Sequence, residues 1–278
     1  MSETAEALIR RSVRDLEASG VENAQRDARL LMRWALDVDG AALAARLAEP
    51  VPDDARKRFL EAIARRSARE PLSHITGCRE FWRRPFRVTR DVLDPRPETE
   101  TLIAEALHRG PQPRILDLGL GTGCILLTLL AEWPNAQGTG VEISEAALAV
   151  ARTNAQDLGV DGRADLRLGN WYDGINGPFD LIVSNPPYIA ADEIEGLSVE
   201  VRDFEPIEAL TDGSDGLDAY SAIAQGARNM LTESGTLMVE IGAGQSHAVA
   251  GLLASAGLLV QAIIPDLDQR PRVIIARP

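Results

Sequence analysis

Cysteine and histidine are nearly missing from this chain: Cys78, Cys124, His74, His108 and His247 are its whole supply. Two thiols cannot build a disulfide framework, and none of the five residues has the spacing of a zinc site, so no metal is expected. Long apolar runs are missing as well. No stretch approaches the ~20 residues that a membrane span needs. The segment Met1-Ser2-Glu3-Thr4-Ala5-Glu6 is acidic where a secretory signal would be basic and then apolar. These absences predict a cytoplasmic protein with no membrane partner. Internal repeats and low-complexity tracts are absent too.

What is present is an ordinary folded composition, 278 residues of which 45% are hydrophobic and 26% charged, with a net charge of −13. The charge is divided unevenly. Residues 1–90 carry eighteen basic and fourteen acidic side chains, and residues 91–278 carry eleven and twenty-eight. That split predicts two domains with different surfaces. An acidic C-terminal part is a poor match for a phosphate backbone, so direct nucleic-acid binding is not expected.

In residues 2–70, Leu8, Ile9, Val13 and Leu16 recur at helical spacing, as do Leu30, Leu31 and Trp34 and, after Pro52, Phe59, Leu60 and Ile63. The pattern predicts a bundle of four helices over 1–70. Such a bundle carries no catalytic constellation; it suits either a stabilising cap or substrate recognition. Prolines at 71, 85, 95 and 97 exclude a helix over 71–97 and leave a β-hairpin linker. A helix over 98–108 follows. Beyond Pro113, apolar segments near 114–118, 138–142, 165–168, 179–184, 235–241, 258–264 and 271–276 alternate with helical periods. This is the pattern of an α/β, doubly wound, mostly parallel sheet. Only residues 265–270 separate the last two strands, too few for a crossover helix, so they should form an antiparallel hairpin. A closing hairpin of that kind distinguishes a methyltransferase sheet from a dinucleotide dehydrogenase.

Within 98–278, Ile115-Leu116-Asp117-Leu118 runs into Gly119-Leu120-Gly121-Thr122-Gly123, a buried strand entering a glycine loop before a helix. The spacing is G-x-G-x-G and not the G-x-G-x-x-G of a nicotinamide site, where helix N–H groups meet a pyrophosphate. S-adenosyl-L-methionine has no pyrophosphate and needs only glycines thin enough to admit its ribose and methionine. Glu142 ends the next strand, where an acid can accept both ribose hydroxyl protons. Asp117 suits either orienting the loop or meeting the methionine ammonium. Trp171, just beyond the third strand, suits stacking on adenine or plugging the edge of the core.

The most telling tetrapeptide is Asn185-Pro186-Pro187-Tyr188, at the carboxyl end of the fourth strand. Prolines have no N–H, so the Asn185 side-chain oxygen and the Pro186 carbonyl are left as outward acceptors on a stiff bend. Two acceptors can hold both protons of a planar NH2 group, and the Tyr188 ring can lie against it. The expected reaction is methylation of a nitrogen whose lone pair is otherwise delocalised. Ligands of open α/β sheets bind at this end of the strands, which favours that reading over a plain turn.

The chain resembles the HemK/PrmC protein-(glutamine N5) methyltransferases over nearly its whole length. The resemblance is carried by Asn185 to Tyr188 and by Pro71-Leu72-Ser73-His74-Ile75-Thr76-Gly77. It is also carried by Val92-Leu93-Asp94-Pro95-Arg96-Pro97-Glu98-Thr99-Glu100, Phe204-Glu205-Pro206, Asp215-Gly216-Leu217 and Glu240-Ile241-Gly242. The chain departs from the family pattern at His74, Asp94 and Asp268-Gln269. The resemblance implies a Rossmann-like, seven-stranded class I S-adenosylmethionine-dependent methyltransferase sheet, with a helical bundle that helps dock the substrate. It implies that the partner is a class-1 peptide chain release factor, modified at the glutamine of its Gly-Gly-Gln loop; separately from the resemblance, a monomer is expected. By the same resemblance Gly119 to Gly123, Glu142, Trp171 and Asn185 contact the cofactor, Asn185 to Tyr188 hold the glutamine, and Pro95 to Glu98 cover the pocket. Two other readings compete: a nucleic-acid exocyclic-amine N-methyltransferase using the same grip, with the arginines at 79, 83, 84, 87 and 90 as its track, and a non-catalytic sensor of S-adenosylmethionine.

Overall fold

The computed structural model describes residues 3–278; residues 1 and 2 of the expected bundle lie outside the described residues. Contacts between Cα atoms divide the chain into two units, Met1–Gly77 with Ser198–Phe204, and Cys78–Leu197 with Glu205–Pro278.

The first unit holds α1 (Ala5–Ala18), α2 (Ala24–Leu36), α3 (Gly40–Ala45), α4 (Asp53–Ser67) and α5 (Leu72–Thr76). Of the periodic apolar residues, its core gathers Leu8, Ile9, Leu16, Leu31, Phe59 and Ile63, with Val13 and Leu60 partly buried against it, but not Leu30 or Trp34, the latter 38% exposed. α5 falls where prolines were expected to forbid a helix. Pro71 stands outside its first turn, where a missing N–H costs nothing, and Gly77 ends it in the left-handed conformation. One buried ion pair crosses the unit, with Arg66 Nε donating to Asp27 Oδ2 at 2.8 Å. The Arg66 Nη1 also donates to Glu200 at 3.1 Å, and Arg69 makes a two-pronged contact with the same carboxylate at 2.7 Å on each oxygen. Glu200 lies in α9 (Val199–Arg202).

The second unit begins with a hairpin, β1 (Cys78–Phe81) and β2 (Arg84–Arg87), and a 3-10 turn, Pro97–Thr99, leading into α6 (Glu100–His108). Strands β3 (Arg114–Leu118), β4 (Gln137–Glu142), β5 (Ala164–Leu168), β6 (Phe179–Ser184), β7 (Leu231–Glu240), β8 (Leu259–Pro265) and β9 (Pro271–Arg277) form one seven-stranded sheet in the order β5-β4-β3-β6-β7-β9-β8. The first five are parallel, and β9 runs antiparallel to both β7 and β8, which is the expected closing hairpin. Helices α7 (Cys124–Glu132), α8 (Glu145–Asp157), α10 (Ile207–Leu210), α11 (Asp218–Met230) and α12 (Ser246–Ser255) complete the unit.

Alternation along the strands sorts side chains onto two faces. Ile115, Leu181, Val183 and Met238 enter one core with α6 and α7, while Leu116, Leu118, Ile182 and Val239 enter the other with α11 and α12. The hairpin is built into the first of these, since Phe81 and Phe86 are buried there edge to face with centroids 6.0 Å apart. Among the described residues, no helix is long and apolar enough to cross a membrane.

Candidate active site

The parallel strands end together, and a cavity of about 770 Å3 opens at their carboxyl ends. That volume lies within the roughly 300–1,000 Å3 of small-molecule and cofactor sites. Of the residues singled out in the sequence, Gly119, Leu120, Gly121, Thr122, Glu142, Trp171, Asn185 and Pro187 line it. Asp117, Gly123, Pro186 and Tyr188 do not. The covering segment contributes Pro95, Arg96 and Thr99.

Gly119 and Gly121 both adopt left-handed backbone, and a Cβ on either would meet nothing within 4 Å. The loop is therefore a cradle with space above it. Glu142 closes the cradle from the side. Its Oε2 accepts from the Gly121 N–H at 2.8 Å and its Oε1 from the Ser144 N–H at 3.0 Å, leaving one lone pair on each oxygen for a ligand. Of the two roles open to Asp117, its one hydrogen bond suits the first, although its Oδ1 is buried without a partner. It is 1% exposed, and its Oδ2 accepts from the Leu126 N–H in the first turn of α7 at 3.2 Å. Burial holds its carboxyl well above the ordinary carboxylate range, and the charge of Glu142 adds to that, against the Leu126 hydrogen bond. Gly123 serves packing, because a Cβ there would meet Leu127 Cδ1 at 2.8 Å. Trp171 lines the cavity and packs against the second core, on a left-handed backbone with φ of 49°. A bulky residue held in that region is strained, a feature found most often at ligand sites.

Just past the end of β6, beside β3, the Asn185 Nδ2 donates to the Thr99 hydroxyl at 3.2 Å. The amide is thereby oriented, and no hydrogen bond among the described residues uses Asn185 Oδ1 or the Pro186 carbonyl. Tyr188 is anchored from behind by Gln245, whose Nε2 donates to the Tyr188 carbonyl at 2.8 Å while its Oε1 accepts from the Gly242 N–H at 2.9 Å. Burial raises the Tyr188 phenol, reinforced by Glu240 and opposed by Arg272 and Arg96, so it stays neutral at ordinary pH. Gly216 presses on the same bend: a Cβ there would lie 2.3 Å from the Tyr188 carbonyl oxygen. Its loop is organised by Asp212, which accepts from the backbone of Ser214, Gly216 and Asp218.

The covering segment is pinned by Arg96, which donates to Glu205 at 2.6 Å. Burial pushes the Glu205 carboxyl up to about 7 against the pull of Arg96, and Asp94 adds to the push. Thr99, Gln245 and Asp212 were not singled out from the sequence as members of the site. Thr99, Gly216 and Glu205 were present only as parts of longer matching stretches. The Gln245–Gly216, Thr99–Asn185 and Arg96–Glu205 contacts join residues 29 to 109 positions apart, which only the sheet brings together, while Asp212 acts within six residues.

Comparisons with known proteins agree with this architecture. The chain matches the PrmC N-terminal domain over residues 7–77 and the methyltransferase small domain over residues 90–200. It is 54% identical to the release factor glutamine methyltransferase of Cereibacter sphaeroides, covering 97% of this chain and 96% of that one. It is 47% identical to the protein of the same description from Rhodospirillum rubrum, covering 97% and 84%. Among solved structures, a methyltransferase from Pyrococcus furiosus superposes with a TM-score of 0.53 at 17% identity, covering 80% of this chain and 96% of that one, which is a likeness of fold. With more than half its residues shared along almost its full length, this chain belongs to the release factor glutamine methyltransferase family.

Proposed function

We propose that this enzyme transfers a methyl group from S-adenosylmethionine to the side-chain amide nitrogen of the glutamine in the Gly-Gly-Gln loop of a class-1 release factor, as a cytoplasmic monomer. The observation that carries the reading is the Asn185 amide, turned by Thr99 so that its nitrogen faces protein and its oxygen is left unused at the rim of the cavity.

The residues present fit the cofactor. The open space above Gly119 and Gly121 would admit its ribose and methionine, Glu142 would accept the ribose hydroxyls, and Trp171 would face the adenine. Bound there, S-adenosylmethionine would supply an electrophilic methyl carbon. Everything else falls to the protein. An amide nitrogen is a weak nucleophile because its lone pair is shared with the carbonyl. Asn185 Oδ1 and the Pro186 carbonyl, by accepting both N–H protons, fix the amide plane and build negative character on nitrogen as the new bond forms. Tyr188, neutral and held by Gln245, offers a ring face to the flat group. The prolines hold both acceptors in place before the substrate arrives, so little ordering is left to pay at binding.

The nucleic-acid reading has less support than it had in the sequence. Arg79, Arg84 and Arg87 of the hairpin face Asp94, Glu132 and Asp157 at 3.7, 2.7 and 2.6 Å, so their charge is matched within the protein. Recognition of the factor's body we assign to the helical unit.

The test is to incubate the enzyme with labelled S-adenosylmethionine and, separately, a purified class-1 release factor, DNA and RNA. Mass spectrometry should place the label on one glutamine of the factor; label on a base would replace this reading with the other. Glu142→Ala should weaken cofactor binding by about tenfold or more, since it removes an acceptor for the ribose and a support of the glycine loop. Calorimetry giving the wild-type affinity would mean that the ribose is held elsewhere.

A further inference from the structure

Glu240 ends β7 and is fully buried, yet it has no place in the chemistry above. The parallel register pairs Val183 with Met238 and Ser184 with Val239, so Asn185 and Glu240 follow as neighbours on adjacent strands, on the face that carries Val183 and Met238. The turn ending in Thr99 opens α6, whose Leu102 and Ile103 cover that same face. Neither oxygen of Glu240 has a hydrogen-bond partner, although the Thr99 hydroxyl is near enough to favour its charged form. A carboxyl group without such a partner, set against the residue that orients the substrate grip, is costly to keep.

We propose that Glu240 is a positioning residue that sets the direction of the hydrogen-bond chain through Thr99 to Asn185. The proposal rests on the amide-gripping role given to Asn185. An ionised carboxylate can only accept, so it turns the Thr99 O–H toward itself, the proton staying on the threonine. Thr99 then has only lone pairs to offer Asn185, which must present its NH2 inward, as observed, and keep Oδ1 toward the substrate. A protonated Glu240 can donate to Thr99 instead. Thr99 is then free to donate to Asn185 Oδ1, the amide can turn over, and its NH2 would meet the NH2 of the substrate, donor against donor.

The surroundings allow this switch near neutral pH. Burial pushes the Glu240 carboxyl up to about 7, and Glu98 adds to the push. The Thr99 hydroxyl, Arg272 of β9 and Arg96 of the covering segment favour the charged form. Tyr188, Tyr220 of α11 and Cys124 of α7 also face Glu240; all three are raised by burial and stay neutral in this range, the thiol at about 12. The sign follows: lowering the pH protonates Glu240 and releases the grip, so activity should fall on the acid side.

Two readouts test the proposal. At saturating cofactor and release factor, wild-type kcat should drop as pH is lowered through about 7. Glu240→Gln, isosteric and free of buried charge, should lose roughly tenfold in kcat at the upper end and lose the step. Glu205→Gln should keep the step, which separates Glu240 from the other carboxyl that titrates in this range. Thr99→Val should lose as much as Glu240→Gln, the double variant no more than either, and Thr99→Ser should recover. In the protein alone, the side-chain amide signals of Asn185 in a nitrogen–proton correlation spectrum should shift through the same pH range, and should not in Glu240→Gln. A kcat step surviving in Glu240→Gln, or Asn185 signals that ignore pH, would overturn the proposal. Failure of the wild-type enzyme to methylate the factor would instead strike the functional reading, and the spectrum would still judge the switch.

Discussion

Asn185→Ala is expected to lower kcat by about 10²–10³, the loss found when one preorganised polar group facing a reacting centre is removed. The whole alignment of the substrate amide depends on that side chain. Without Oδ1 the NH2 keeps one acceptor at most, the Pro186 carbonyl, and can rotate about the axis that single bond defines. The nitrogen lone pair is then pointed at the methyl carbon only part of the time. Cofactor affinity should change by no more than several-fold, because the ribose falls to Gly119, Gly121 and Glu142 at the ends of β3 and β4, while Asn185 follows β6. The measurement is steady-state methylation of a release factor beside calorimetry with S-adenosylmethionine. Wild-type turnover would end the proposed grip, and a matching collapse in cofactor affinity would show that Asn185 acts mainly on the other ligand.

Gly216→Ala should be nearly as damaging, for a different reason. The new Cβ would lie 2.3 Å from the Tyr188 carbonyl oxygen and 2.9 Å from its carbon, on a backbone with φ of 78°. Neither contact is with the end of a flexible side chain, so the backbone of one loop or the other must move. Overpacking of this kind costs about 1–3 kcal/mol and the left-handed conformation of a non-glycine residue adds to it. The movement is delivered to Asn185-Pro186-Pro187-Tyr188 itself, and a misplacement of about 1 Å at such a site can cost ~10²-fold in rate. A lowered melting midpoint together with a fall in kcat, at nearly unchanged cofactor affinity, is the expected signature. An unaltered kcat would mean that the bend does not need its present position.

Much of this was legible in the sequence, and the reason is local. Buried parallel strands read as short apolar runs, and six of the seven appeared within two residues of their observed limits. β7 begins four residues earlier than expected, at Leu231, because Thr232, Glu233 and Ser234 break its apolar pattern. Glu142 and Asn185 were visible because each ends a strand, where the direction of the chain alone says what it faces. The helix Leu72–Thr76 was not visible, since proline was read as a breaker when it stood outside the first turn. Thr99, Gln245 and Glu240 gave no local signal of their roles. A threonine before a helix, a glutamine after a glycine and a glutamate ending a strand are ordinary residues until the register of β6 on β7 brings them to one place.

Residues Ser198–Phe204 belong to a unit whose other members end at Gly77. On the ribosome, the first unit must wait for more than a hundred further residues before its last piece leaves the exit tunnel. Until then the guanidinium groups of Arg66 and Arg69 have no Glu200 to meet. A fragment ending at Gly77 is therefore not a faithful copy of this unit: in it Arg66 keeps only Asp27 of its two carboxylates, and Arg69 lacks the two-pronged partner that later synthesis supplies.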